Sequence, residues 1–178
     1  MRQLTYVGGS TIEWWDVPAP KLQDERDALV RPLAVTRCDL DLTIVGGKSG
    51  LPGPFALGHE TAGIVTDVGD AVRNFAPGDL VIVPFQISCG ECERCKRGNT
   101  NACSAVPFRS SYGLKPVCGV ECGGASMPAP TCRPASTMSR PDIFHPEHVI
   151  MRKVRFEDAH EAIGDPTNRV ACVRDGID

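Results

Sequence analysis

The sequence predicts a mainly β fold with short helices, on three observations. Short apolar runs recur at close intervals, Gly, Pro and Asp separate them, and helical patterns are brief wherever they occur. Strands are expected at residues 3–7, 12–17, 28–35, 62–68 and 79–84, and together they read as a small barrel. Residues 74–79, N-F-A-P-G-D, form a turn into the last of these, with Pro77 presetting φ and Gly78 permitting a positive one. A short helix begins near Cys38.

Beyond Gly123 the pattern changes. Pro128, Pro130, Pro134, Pro141 and Pro146 crowd a stretch of little periodicity, which is expected to form no regular element. Strand character returns at 148–156. A short helix is expected over 156–164, where Glu157 and Asp158 suit the positive end of the helix dipole and Gly164 follows the last turn. A strand at 169–174 completes the pattern.

The 178 residues suffice for one domain, or one with an extension. Hydrophobic residues make up 42% and aromatic residues 6%, with no apolar run long enough to cross a bilayer. Residues 1–20 lack a basic segment followed by an apolar one, so a cytoplasmic location is expected. The net charge of −3 comes without a basic block, which argues against nucleic acid as partner. Nine cysteines, an odd number without a secretion signal, suggest metal binding before disulfides.

Four of those cysteines, Cys89, Cys92, Cys95 and Cys103, stand as C-x2-C-x2-C-x7-C. Two-residue gaps let neighbouring sulfurs converge on a tetrahedral Zn²⁺, and Gly90 and Gly98 permit the tight turns between them. With all four positions filled by protein, such a site is structural, ordering a lobe with few apolar residues. Disulfides and an iron–sulfur cluster are the alternatives for the same thiols.

Upstream lie Cys38 and the triplet Gly58-His59-Glu60. Cys38 and His59 are good zinc ligands, and Glu60 can bind the metal or exchange on and off it, leaving an open position for Lewis-acid chemistry. Taken singly, a buried Cys or His is usually a core or satisfied polar residue. A metalloprotease helix is excluded, because the position four after His59 is Gly63.

Cys38, then Gly58-His59-Glu60-x2-Gly63-x5-Gly69-x2-Val72, then the four-cysteine knuckle, resembles the zinc-dependent alcohol dehydrogenases of the medium-chain dehydrogenase/reductase superfamily. The resemblance runs over residues 3–124 and resumes over 145–177, where H-P-E-H-V-I and F-E-D-A-H-E-A-I look like the return of such enzymes to their catalytic domain. It implies a GroES-like β-barrel with a zinc-knuckle lobe, divided as a catalytic domain at 1–124, an irregular Pro-rich linker or splice at 125–144, and a return segment at 145–178. It implies zinc and NAD(P) as cofactors and a small alcohol or carbonyl as substrate. Cys38, His59 and Glu60 become the catalytic zinc cluster, Asp41 an acceptor that holds the ligand histidine, and Cys89, Cys92, Cys95 and Cys103 the structural site.

Two departures qualify the resemblance. Many members carry Ser or Thr two residues after the first catalytic cysteine as a proton relay, whereas this chain has Leu40, and Thr43 or water is the expected substitute. The family also places a nucleotide-binding domain between barrel and return. Neither Gly119–Gly124 nor Val45–Gly50 has the G-x-G-x-x-G spacing, and Leu42 breaks a P-loop reading of the second. An internally deleted or truncated dehydrogenase is therefore expected, with a catalytically inactive zinc-binding remnant or pseudoenzyme as the alternative. Cys118, Cys122 and Cys132 are candidates by proximity for a further catalytic ligand, against a reading as incidental thiols. Loss of the covering domain would expose the cleft around Cys38 and His59 and favour oligomers.

Overall fold

The computed structural model describes residues 1–36, 38–107, 111, 131–134, 152–155, 158–162 and 170–173. Strand β1 (Arg2–Gly8) turns back antiparallel onto β2 (Thr11–Asp16) through Gly9 and Ser10, both at positive φ, 57° and 68°. This is the turn geometry whose twist matches a two-residue hairpin. On its other side β1 pairs with β4 (Phe55–Ala56), giving a three-stranded sheet in the order β2-β1-β4.

The larger sheet is organised around β3 (Asp27–Thr36). It runs β6 (Leu80–Val83), β5 (Glu60–Val68), β3, β9 (Val170–Val173), β8 (Arg152–Arg155), and β7 (Thr131–Pro134) pairs with β3 off this path. Burial alternates along β3 until the register against β5 shifts between Pro32 and Ala34. A bulge there changes which face the side chains take. Ala28 and Val30 accordingly join one core cluster with Val65, Phe75, Val81, Val83 and Ile87, while Val35 joins another with Leu4, Tyr6, Ile44, Phe55 and Leu57.

Helix α1 (Asp39–Val45) follows β3 directly, α2 (Glu93–Lys96) and a 3-10 turn (Thr100–Ala102) lie in the cysteine lobe, and α3 (Ala159–Ala162) lies between β8 and β9. Strands β8 and β9 are parallel, a pairing that needs a crossover, and the α3 segment supplies it. Ala159 is fully buried in the cluster of Leu4, Tyr6 and Val35, so this segment packs into the core built by the first strands.

The fold is mainly β with short helices, and each expected strand is present with ends displaced by a few residues. The 123–146 stretch differs from expectation, because β7 lies in it and pairs with β3 from Asp27↔Pro134 to Val30↔Thr131. Prolines flank or end this short strand, and Pro134 meets the first residue of β3, where a missing N–H costs a ladder least. Among the described residues no helix is long and apolar enough to cross a membrane.

Candidate metal centres

The register of β3 on β5 builds the first centre. Thr36 lies directly opposite Glu60, so Cys38, two residues beyond one strand, comes beside His59, one residue before the other. Gly58 takes φ of 92°, a turn a side chain resists, and delivers the chain into β5. Gly63 sits where β5 touches β3 closely: a β-carbon there would lie 2.6 Å from the Arg31 carbonyl oxygen and 2.6 Å from Val30 Cγ1. Two glycines of the motif are thus explained by backbone, and the residues between them are free to carry chemistry.

Cys38 is the N-cap of α1. Its N–H donates to Asp41 Oδ2 at 2.7 Å, and the Leu40 N–H donates to Cys38 Sγ at 3.3 Å. The other Asp41 oxygen lies 3.5 Å from His59 Nδ1, while His59 Nε2 lies 3.1 Å from Cys38 Sγ. Asp41 and His59 are both buried. One carboxylate therefore starts the helix and faces the far nitrogen of the imidazole, which leaves Nε2 turned toward the thiol. Burial alone would lower the His59 pKa, but the contact with Cys38 and the negative charge of Asp41 outweigh it and raise it to about 9.

The ligand atoms of Cys38, Asp41 and His59 all lie within 4.8 Å of one another. Glu60 does not complete that group; its Oε2 accepts from the Thr36 hydroxyl at 3.2 Å. A thiol, an imidazole nitrogen and an orienting carboxylate behind the ring suit zinc, with Asp41 placed behind the ligand histidine. Phe85 was not anticipated. The β5–β6 pairing Thr61↔Val83 carries the chain beyond β6 to the start of β5, where the Phe85 ring meets His59 edge-on at 6.3 Å. Phe85 and Leu40 are both exposed large hydrophobics at this site, and only the strand register could have revealed the first.

The second centre gathers Cys89, Cys92, Cys95 and Cys103, also within 4.8 Å. Its sulfurs are separated by 3.6 Å for Cys103 and Cys89, and by 4.0 Å both for Cys89 and Cys95 and for Cys92 and Cys103. A tetrahedron of Zn–S bonds sets sulfurs roughly 3.8 Å apart, so the donor set fits. Cys38, Cys89, Cys92, Cys95 and Cys103 are all free of disulfides. Backbone N–H groups already point at the sulfurs, Cys92 to Cys89 at 3.3 Å and Cys89 to Cys103 at 3.4 Å. Burial pushes the Cys95 thiol up to about 12, whereas N–H donors from Ser104 and Cys95 hold Cys92 down to about 5. Positive φ at Gly90 and Gly98, 74° and 82°, makes the turns between ligands.

Of the further cysteines considered as ligands, Cys118 and Cys122 lie outside the described residues. The backbone of Cys132 pairs with Leu29. Thr36, next to the first centre, is seven residues further along β3, roughly 20 Å away.

The profile of the family described as Alcohol dehydrogenase GroES-like domain matches residues 24–136, a span holding both centres. The chain belongs to this family. Among its relatives is a glutathione-independent formaldehyde dehydrogenase of Pseudomonas aeruginosa, 34% identical over an alignment 132 residues long that covers 69% of this chain and 32% of that protein. Among solved structures, the alcohol dehydrogenase TADH from Thermus sp. ATN1 aligns with a TM-score of 0.71 and 34% identity, covering 84% of this chain and 42% of that one. A cobalt- and zinc-bound thermostable alcohol dehydrogenase from Pyrobaculum aerophilum aligns with a TM-score of 0.63 and 26% identity, covering 79% and 41%. The alcohol dehydrogenase-like chain spans about a third of the length of the curated relatives it matches. Its thiol-rich donor sets agree with zinc as the metal of this GroES-like domain.

Proposed function

We propose that the chain is the metal- and substrate-binding part of a zinc-dependent alcohol dehydrogenase, interconverting an alcohol and an aldehyde or ketone with NAD(P). The observation that carries this reading is the Cys38–His59–Asp41 arrangement, in which the imidazole nitrogen nearest the thiol is free of the carboxylate behind the ring. Cys38 and His59 would hold the metal, with Glu60 as a ligand or exchange residue. Bound there, zinc would supply a Lewis acid that lowers the pKa of the substrate oxygen, and a nicotinamide cofactor would supply the hydride acceptor.

The chain's own residues do the rest. Asp41 fixes the orientation of His59, and the exposed side chains of Leu40 and Phe85 make an apolar rim that limits water beside it. Thr43 donates its hydroxyl to the Asp39 carbonyl at 3.4 Å, on its own helix, which leaves water as the better carrier of the substrate proton. Residues 1–124 would form the catalytic domain together with β7 from the 125–144 stretch, and 145–178 the return, a reading supported by β7 and β9 on β3 and by Ala159 in the core. The cofactor would be held by residues other than these 178, as in an internally deleted or truncated enzyme, since no dinucleotide-binding turn is written in them.

A zinc-binding remnant without turnover is the second reading. It is favoured by Leu40 at the relay position and by the distance of Cys132 from the first centre. Zinc content of the chain purified without chelators, combined with alcohol oxidation once a separate nucleotide-binding domain and NAD⁺ or NADP⁺ are supplied, separates the two. Two zincs, one lost in Cys38→Ser and one in Cys95→Ser, with alcohol oxidation in that mixture, support the dehydrogenase. Zinc without such oxidation supports the remnant.

A further inference from the structure

Glu60 follows a metal-facing histidine in sequence and lies near enough for its charge to act on that histidine, yet its carboxylate stays outside the cluster of donors. Its side chain accepts a hydrogen bond from the Thr36 hydroxyl at 3.2 Å across the β3–β5 pair, and the two residues are in direct register. Directly opposed residues of antiparallel strands project from the same face with their β-carbons about 5 Å apart. The contact is therefore built into the sheet. A β-branched residue is stiff at χ1, so Thr36 presents its hydroxyl in one place. Glu60, by contrast, has a flexible stem rooted beside His59, and rotation about it would bring the carboxylate toward the Cys38–His59 donors.

We propose that Thr36 is a positioning residue that latches Glu60 away from the metal site formed by Cys38 and His59. The proposal rests on the reading of that site given above. With the latch closed, a coordination position is left for substrate oxygen; with it open, Glu60 joins the ligands as an added donor and crowds that position. The sequence motif alone names Glu60 as a candidate ligand, whereas the register names the residue that governs whether it is one.

The full chain loaded with Co²⁺ tests this, with Cys38→Ser supplying the spectrum of the cysteine knuckle for subtraction. Tetrahedral cobalt absorbs strongly in the visible and five-coordinate cobalt weakly. Thr36→Val keeps the β-branched shape and removes the hydroxyl. It is expected to weaken the visible band of the Cys38 site and to slow metal release to a chelator by about tenfold, the scale on which outer contacts tune metal affinity. Thr36→Ser should retain wild-type behaviour, and adding Glu60→Ala to Thr36→Val should restore wild-type release. A Thr36→Val variant identical to wild type in both readouts would overturn the latch, as would an effect that persists without Glu60. If wild type takes up no cobalt that Cys38→Ser lacks, the reading of the site fails, and the latch falls with it.

Discussion

Asp41 shows how one side chain can serve the helix and the site together. One of its oxygens accepts from Cys38 N–H and the other faces His59 Nδ1. Asp41→Asn keeps an acceptor for the helix start and removes the charge behind the imidazole, whereas Asp41→Ala removes both. Denaturant titration in chelator above about pH 9, where His59 is neutral, should show a loss of about 1 kcal/mol for Asp41→Ala, typical of a lost cap, and much less for Asp41→Asn. Both should weaken zinc binding at this site about 10–100-fold in chelator competition. Equal stability losses in the two variants would deny the capping role. The pH dependence has a definite sign. His59 in the metal-free chain holds its proton up to about 9, above its ordinary 6.5. Its contribution to stability is complete below about 6.5 and is lost as pH rises through about 9. In chelator, wild type should lose stability over that window relative to His59→Gln, and a constant difference between them would contradict the assignment. Zinc uptake must displace the same proton and should strengthen with pH up to about 9.

At the level of elements, the motif glycines record strand contacts more than chemistry. Gly63→Ala would set a methyl group against the Arg31 carbonyl and Val30, with no flexible group to yield on the carbonyl side. A destabilisation of about 1–3 kcal/mol is expected by thermal or denaturant unfolding. Because β3 and β5 carry Thr36 and Glu60, this substitution should also loosen the first centre while sparing zinc in the knuckle. The knuckle answers to a different force. Among the described residues of that lobe Cys95 is the buried apolar one, and the Arg97–Glu93 ion pair at 3.0 Å is exposed and so contributes little. Chelation should therefore expose residues 89–103 to protease while the strands stay protected, and Cys95→Ser should do the same without chelator.

These comparisons show where the sequence was legible. The cysteine spacing and the strands β1, β2, β3, β5 and β6 are local patterns, written in residues that lie close together along the chain, whereas the two-residue β4 was not expected. Cys38, Asp41 and His59 could be named because a known motif places them. Phe85 and Thr36 carry no such mark: they reach the site through pairing partners, and pairing is a property of two distant segments. β7 was hidden for a related reason. Its prolines speak locally against a strand, and the partner strand β3 that overrides them lies about a hundred residues earlier in the chain.

For the whole molecule, the two cores meet on β3, and the one that holds Leu4, Tyr6 and Val35 is completed by Ala159 from much later in the chain. Ala159 has no exposed surface and sits against Leu4, Tyr6 and Val35. A chain ending before residue 145 would uncover that cluster and the edge of β3 that β9 covers, and size-exclusion chromatography should show it aggregating more than the full chain. An unchanged monomer would mean that the return segment adds nothing to the core. The full chain itself keeps Leu40 and Phe85 exposed beside the first centre, and self-association through that apolar rim is the outcome expected in light scattering.

The shared edge of β3 also sets an order in time. β5 reaches β3 through residues 37–59, which hold α1 and β4, but β7 and β9 divide the opposite edge between them and arrive from much later in the chain. Closing such long loops is slow compared with pairing neighbours. During synthesis the nascent chain must therefore carry an open, hydrogen-bonding strand edge until β7 and then β9 have left the ribosome, and that interval is when it is most exposed to pairing with another copy of itself.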